Sequence, residues 1–316
     1  MSLTLTLLGT SASRPTVERN VASAVLVREG ETLMFDCGEG TQRQMMRYGV
    51  SFSLRDIYFT HMHADHVIGV IGLLRTMALQ GRTEPMRLIG PVGAGRHLKR
   101  AKEFGVDRIT FPVEIVELDA AARVDYGEFH VVPFPVDHGP SLSLGYALVE
   151  PARKGRFNPD RARELGIPEG PLWGQIHRGQ TVTLPDGREI APAELVGPPR
   201  PGRTAVITGD TRPCDATVEM SRGADLLVHE ATFADEEAER ARETGHSTAR
   251  EAADVAARAG VRRLVLTHLS ARYSRDPSDL VREARDLFDN AVVARDGMEI
   301  DVPYRDTAAE SGAADV

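Results

Sequence analysis

The sequence predicts a layered α/β protein, and three observations carry that prediction. Short segments of strand character, apolar or alternating, recur along the chain with stretches of helical spacing between them. A cluster of three histidines and an aspartate, His61, His63, Asp65 and His66, lies between such a strand and such a helix. Later strand segments end in His138, Asp210, Glu230 and His268. Ligand sites of layered α/β proteins lie at strand ends along one sheet edge, so this placement argues for one site gathered from distant parts of the chain.

In chain order, Leu3 to Leu8 alternates apolar residues with Thr, and Ala24 to Arg28 with Thr32 to Phe35 forms a hairpin pattern around Glu29-Gly30-Glu31. Gly9 to Asn20 is a polar loop whose Arg14, Arg19 and Asn20 can reach a ligand. Asp36-Cys37-Gly38-Glu39-Gly40 opens a helix through Tyr48, where Asp36 is either a cap or a partner that orients a metal-bound histidine. Leu54 to Phe59 is a strand running into the histidine cluster, and Val67 to Leu79 is helical. Met86 to Ile89 is a strand, and the Gly-rich turn from Gly90 to Gly95 leads into a helix ending at Phe104; its glycine spacing matches no nucleotide fingerprint. Val113 to Val116, Phe129 to Val136 and Leu142 to Val149 add strands.

From Pro151 to Gly202 the texture changes to Pro, Gly and Arg, with a short helical piece from Pro159 to Leu165 and the only tryptophan, Trp173. The stretch reads as a structure-poor, flexible insertion within a catalytic domain spanning 1–305. Strands resume at Thr204 to Thr208, Asp225 to Val228 and Arg263 to Thr267. A charged helix follows His229-Glu230-Ala231-Thr232, and Ser247 or Thr248 caps an Ala-rich helix to Ala259. A helix from Asp279 to Phe288 and short strands near Val292 and Met298 precede a small-residue tail, 306–316, expected to be disordered.

Length and composition, 316 residues with 41% hydrophobic and 27% charged, are those of an ordinary globular protein. No apolar run is long enough to span a bilayer, and the chain does not open with a signal-peptide pattern, so the cytoplasm is the expected compartment. Cys37 and Cys214 are too few for a disulfide framework and read as free thiols. A net charge of -8 argues against nucleic acid as a partner on the global sum, although a basic patch can coexist with an acidic remainder.

The histidine cluster carries the chemistry. Neutral imidazole and carboxylate suit zinc, or iron or manganese, and side chains two apart on a tight turn can converge on one ion while others face a second. His97, His130 and His177 stand apart from the strand ends and read as ordinary surface or packing residues.

The set His61-Met62-His63-Ala64-Asp65-His66 with His138, Asp210 and His268 resembles the binuclear metal site of the metallo-β-lactamase superfamily. Asp36-Cys37-Gly38-Glu39-Gly40-Thr41-Gln42, His229-Glu230-Ala231-Thr232-Phe233, His246-Ser247-Thr248 and Ser270-Ala271-Arg272-Tyr273 narrow the resemblance to the ribonuclease Z family. Leu165-Gly166-Ile167-Pro168, Gly170-Pro171-Leu172-Trp173-Gly174 and Leu195-Val196-Gly197-Pro198-Pro199 are similar to that family's tRNA-gripping arm. The likeness runs to about Tyr273.

The resemblance implies a four-layer αββα sandwich of two mixed β-sheets with helices on both outer faces. It implies a homodimer and an endonuclease that cuts precursor tRNA after the discriminator base, leaving a 3′-hydroxyl on the tRNA. It also implies two zinc ions per subunit, with manganese or another divalent metal as substitutes: one on His61, His63 and His138, the other on Asp65, His66 and His268, bridged by Asp210. A hydroxide between the ions attacks phosphorus, with Asp65 orienting it, while Glu230 and His246 deliver a proton to the leaving oxygen and Arg272 holds phosphate. Arg19, Asn20, Gly170, Pro171 and Trp173 would touch the tRNA, and Asp36 and His229 would support the ligands. Two positions depart from the family pattern. Val17 stands where the loop from Pro15 to Asn20 has a lysine, so discrimination against tRNAs already carrying CCA does not transfer to this chain, and Ala64 replaces the commoner glycine. Alternative readings of the same residues are a general phosphodiesterase for small or cyclic diesters, a lactone or β-lactam hydrolase, and a zinc-stabilised RNA-binding module.

Overall fold

The computed structural model describes residues 2–106, 108–140 and 142–305. The expected disorder of residues 306–316 falls outside them. Strands β1 (Leu3–Gly9), β2 (Ser23–Arg28) and β3 (Glu31–Phe35) form an antiparallel meander, and Glu29 and Gly30, at φ 48° and 90°, make the reversal between the last two. Helix α1 (Thr41–Arg47) leads to β4 (Asp56–Tyr58), shorter than the six-residue strand its apolar content predicts. Helices α2 (Ala64–Val67) and α3 (Gly69–Leu79), β5 (Met86–Pro91), α4 (Gly95–Glu103) and β6 (Val113–Leu118) follow. Each of β4, β5 and β6 adds parallel to its predecessor, with a helix covering each crossover.

Strands β7 (Val124–Asp125), β8 (His130–Val136) and β9 (Ser143–Val149) form a second antiparallel meander. The insertion then supplies α5 (Pro159–Glu164), α6 (Pro171–His177) and a hairpin of β10 (Val182–Thr183) with β11 (Glu189–Ile190). Parallel strands resume with β12 (Thr204–Ile207), α7 (Asp215–Met220), β13 (Leu226–Glu230), α8 (Ala238–Thr244), α9 (Ala249–Ala259) and β14 (Leu264–Thr267). Helix α10 (Ser278–Arg285), β15 (Ala291–Val293) and β16 (Met298–Asp301) end the described chain.

Two seven-stranded mixed sheets result, ordered β16-β1-β2-β3-β4-β5-β6 and β15-β14-β13-β12-β9-β8-β7. Their facing residues, among them Leu5, Leu7, Leu26, Phe35, Leu144, Tyr146, Ile207 and Val228, form one core between the sheets. On the outer face of the first sheet, Val70, Leu73, Met77 and Leu98 pack over Val25, Met34 and Leu88. On that of the second, Ala252, Val255, Ala256 and Leu280 pack over Val206, Leu227 and Leu264. This is the expected αββα layering. Each such buried Leu, Val or Phe contributes roughly 1.5–3 kcal/mol.

Thr248 is the cap of α9: its Oγ1 accepts from the Glu251 N–H at 3.2 Å while the Glu251 carboxylate accepts from the Thr248 N–H at 2.9 Å. Ser247 has a different use, donating its hydroxyl to the Thr211 carbonyl at 2.6 Å and so tying the start of α9 to the loop that carries Asp210. Helix α7 was not signalled by the sequence, being only six residues with a weak apolar pattern.

The chain divides into two compact units, and the second comprises Glu150–Arg203 with the segment from Tyr304. It is not structure-poor, which corrects the sequence expectation. Ala162, Ile167, Ile176, Val182, Leu184, Ile190 and Leu195 form a small core of its own, with Phe157 and Trp173 packed against it. The apolar residues fall singly between Pro, Gly and charged residues, so no periodic signal marks them. At its base Arg203 donates from Nε and Nη2 to the two oxygens of Glu150, both at 2.8 Å, and its guanidinium lies 3.9 Å from the Tyr304 ring centroid. Among the described residues no helix is long and apolar enough to cross a membrane.

Candidate active site

The ends of β3, β4, β8, β12, β13 and β14 bring the sequence-distant polar residues together. Asp36, at the end of β3, accepts from the Thr60 N–H at 2.8 Å, from the Thr60 hydroxyl at 2.9 Å and from His66 Nδ1 at 2.7 Å. It therefore orients a histidine and does not cap α1, where Gly40 holds the cap position. The Thr60 hydroxyl, having given its proton to Asp36, accepts from His61 Nδ1 at 3.0 Å. His138 Nδ1 donates to the Gly245 carbonyl at 2.7 Å, and His268 Nδ1 to the Thr232 hydroxyl at 3.1 Å. With every Nδ1 proton so placed, the neutral forms of His61, His66, His138 and His268 all turn a bare Nε2 toward one centre.

These lone pairs face one another. His61 Nε2 lies 2.9 Å from His63 Nδ1, His138 Nε2 lies 3.2 Å from the same atom, and His66 Nε2 lies 3.3 Å from His268 Nε2. Asp210, fully buried, turns one oxygen to each group: Oδ2 is 3.7 Å from His61 and 3.8 Å from His138, and Oδ1 is 3.4 Å from His66 and 3.3 Å from His268. Its Oδ1 has no hydrogen-bond donor among the described residues. Converging acceptors with a buried, unsatisfied carboxylate oxygen fit cations and little else. Among the described residues the donor atoms form three overlapping groups within 4.8 Å: His61, His63, His138 and Asp210; Asp65, His66 and His268; and Asp210, His246 and His268.

Backbone strain concentrates here. Asp36, His268 and Ser13 are non-glycine residues at φ 57°, 56° and 61°. The Ser13 N–H donates to Asp65 Oδ2 at 2.8 Å, holding a carboxylate that also stands 3.5 Å from His268. Gly209 sits at φ 66°, and a Cβ there would come within 2.6 Å of Thr60, so the approach of β12 to the histidine loop requires glycine.

Electrostatics follow burial and neighbours. Burial, with His66 close by, pushes His61 well below the ordinary imidazole range, and burial with His138 does the same to His63. For His66, burial is outweighed by Asp210 and Asp36 on either side, which draw it well above that range. A cation entering here displaces that proton, so its affinity falls as pH falls. Asp65 and Asp210 are held low by the surrounding imidazoles against the opposing effect of burial.

Glu230, the last residue of β13, accepts from the Thr211 N–H at 2.8 Å, the Thr232 hydroxyl at 2.6 Å and His246 Nδ1 at 2.8 Å. Burial opposes the charged form of His246, but Glu230 and then Asp210 raise it to about 9. Its ring stacks on His268, centroids 5.4 Å apart. Two clefts flank the cluster. One of about 560 Å³ opens beside His246, among Arg14, Phe233, Arg240 and Arg272. The other, about 360 Å³, opens over His61, His63 and His138, with Arg96 and His97 on its wall.

Several expected contacts are corrected. Arg19 is buried, and its guanidinium is consumed internally by Thr10 Oγ1 at 2.8 Å and the carbonyls of Ser274 and Ala294. Asn20 donates from Nδ2 to the Glu39 carbonyl at 2.8 Å. Both residues brace the loop; the Arg19 guanidinium is turned inward, while Asn20 is half-buried. His229, next to Glu230 on β13, points to the opposite sheet face by strand alternation; its Nδ1 meets only the Glu230 carbonyl, so it supports no ligand. Trp173 packs against the core of its unit, its Nε1 donating to Ile167 O at 3.3 Å, while Gly170 and Pro171 are exposed at the start of α6. Arg272 lines the His246 cleft but is paired with Glu237. The histidine cluster is not all loop: Asp65 and His66 lie in the first turn of α2. Sequence reasoning missed the Ser13 N–H and the Gly245 carbonyl, which as backbone groups leave no side-chain signal, and also His97.

Residues 3–142 match the family model for the anti-Pycsar protein Apyc1, and residues 192–269 that of the beta-lactamase superfamily domain. The ribonuclease Z of Gemmatimonas aurantiaca is 62% identical over 98% of this chain and 99% of its own length. Human tRNase Z, short form, is 29% identical at a TM-score of 0.68, covering 95% of this chain and 99% of that one. A metallo-beta-lactamase fold protein of Bacillus subtilis, 18% identical over 95% of this chain and 99% of that one at a TM-score of 0.69, shares the fold. On its fold, its convergent histidines and this near full-length identity, the chain belongs to the ribonuclease Z family of the metallo-β-lactamase fold.

Proposed function

We propose that the chain is an endoribonuclease that removes the 3′ trailer of precursor tRNA, cutting after the discriminator base to leave a 3′-hydroxyl. The observation that carries this is the pairing of a metal-ligand cluster with a buried Glu230–His246 couple at its edge, beside a cleft lined by arginines. His61, His63 and His138 would hold one divalent ion and Asp65, His66 and His268 the other, with Asp210 shared; the imidazole-rich donor set favours zinc. When bound, such ions supply Lewis acidity and an ionised nucleophile at neutral pH.

The protein's own groups do the rest. The Asp65 carboxylate, fixed by the Ser13 N–H, is placed to orient the attacking water. His246, kept protonated by Glu230, is the donor for the oxygen that leaves on the tRNA side. Arg272 at the cleft rim is placed to exchange its pairing with Glu237 for a phosphate oxygen. Residues 151–202 serve as the grip on tRNA away from the reaction, a role supported by exposed Gly170 and Pro171 and by a core that keeps them in shape. A homodimer and a cytoplasmic setting belong to the same reading, supported by the family and by the substrate.

The test is cleavage of an end-labelled precursor tRNA by wild type, Asp65→Ala and His246→Ala. A cut after the discriminator base that both substitutions suppress is the expected result. Absence of any cut by metal-loaded wild type that still hydrolyses a small chromogenic diester would transfer the assignment to a general phosphodiesterase. Light scattering under assay conditions checks the dimer.

A further inference from the structure

The geometry points to the basic face of α4 as a binding track for the single-stranded 3′ trailer, an inference that rests on the tRNA-processing reading above. The helix, Gly95-Arg96-His97-Leu98-Lys99-Arg100-Ala101-Lys102-Glu103, carries Arg96, Lys99, Arg100 and Lys102 against Glu103 alone, in a chain whose net charge is -8. Leu98 and Ala101 are buried against the first sheet, which turns Arg96, Lys99 and Arg100 outward on one stripe, three and four residues apart. No carboxylate among the described residues pairs with any of these three, whereas Arg161, Arg163 and Arg188 of the insertion are each paired with an acid. Unneutralised positive charge on an acidic protein is what a phosphate chain selects.

The helix begins at the active site. Arg96 and His97 form the wall of the cleft of about 360 Å³ whose floor includes His61, His63 and His138. His246 serves the oxygen released on the tRNA side, so the nucleotide bearing that oxygen belongs in the cleft beside His246. The phosphate stays with the trailer, and the second cleft, lined by Ala94, Arg96 and His97, leads from the ligand histidines to the start of α4. At the far end Phe104 is 63% exposed, a large side chain left in water where a base can stack. Cationic groups followed by an exposed aromatic ring suit single-stranded RNA read by backbone and stacking, without sequence preference.

The experiment compares wild type with the double variant Lys99→Ala/Arg100→Ala, both outside the cleft, and with Phe104→Ala. The substrates are two precursors of one tRNA, with trailers of a single nucleotide and of about ten nucleotides. The double variant is expected to raise KM for the long-trailer precursor roughly fivefold, to leave kcat unchanged, and to process the short-trailer precursor as wild type does. Phe104→Ala is expected to weaken binding of a free 5′-phosphorylated trailer oligonucleotide several-fold. An equal rise in KM for both precursors would place α4 on the tRNA body and overturn the proposal. Equal affinity of wild type and double variant for the free oligonucleotide would overturn it as well, whether or not any precursor is cut; failure of wild type to cut either precursor would refute the tRNA reading separately.

Discussion

The polar residues of the metal-ligand cluster and those of the 150–203 unit obey opposite rules. In the cluster, His61, His66, His138, Asp210 and His268 are buried, and the four rings are held through their Nδ1 atoms by Thr60, Asp36, the Gly245 carbonyl and Thr232. In the insertion, Arg161, Arg163 and Arg188 lie in solvent and pair with neighbours a few residues away. The Arg203–Glu150 pair of that unit is buried. Chemistry at phosphorus needs groups fixed within fractions of an ångström, which burial supplies; a grip on a large RNA needs reachable surface on a small, stable support. The same residue types are therefore costly to disturb in one region and cheap in the other.

The strongest way to break the contrast is Asp210→Ala, which removes the carboxylate that turns one oxygen to each ligand group. Activity is expected to fall on the order of a thousandfold, with reduced bound metal by elemental analysis. In the insertion the matching test is Glu150→Ala, which takes the paired carboxylate from the buried Arg203 guanidinium and should destabilise that unit by about 3–5 kcal/mol, read by hydrogen exchange within 150–203. Hydrolysis of a small diester by that variant should be untouched, and its loss would show that the insertion supports the site itself. His246→Ala should lower kcat roughly a hundredfold on precursor tRNA. Because Glu230 holds the His246 proton on, Glu230→Gln lets it leave at lower pH, so the alkaline limb of the rate profile should move toward neutrality; an unmoved limb would assign it to another group. Asp36→Asn should weaken metal affinity by about 10–100-fold while leaving the ligands themselves in place, measured by competition with a chelating dye. The smallest effect is expected from Thr248→Ala, about 1 kcal/mol from the lost cap of α9, seen as a shift in the denaturation midpoint.

Much of this was legible before the fold. The strand and helix order followed from alternation and helical spacing, and the residues of the cluster followed from histidines and carboxylates recurring at strand ends. What failed in the sequence failed for definable reasons. Arg19 and Asn20 lie in a polar loop beside the site, and nothing local shows that a guanidinium there turns inward to the Ala294 carbonyl some 275 residues away. His229 and Glu230 are neighbours, but a strand sends them to opposite faces. The insertion hid its core because seven apolar residues scattered among Pro and Gly form no period.

Sequence alone determined the chemical inventory and its spacing: which imidazoles and carboxylates exist, that they terminate strands, and that a Gly- and Pro-rich stretch interrupts the order. Tertiary structure alone decided which atom of each faces the centre. Asp36 binding His66, Thr232 binding His268, Gly245 binding His138 and Ser13 binding Asp65 are contacts across 30, 36, 107 and 52 residues. Orientation of a buried ring is fixed by the partner of its other nitrogen, and that partner is chosen by how the strands close, which no local pattern contains.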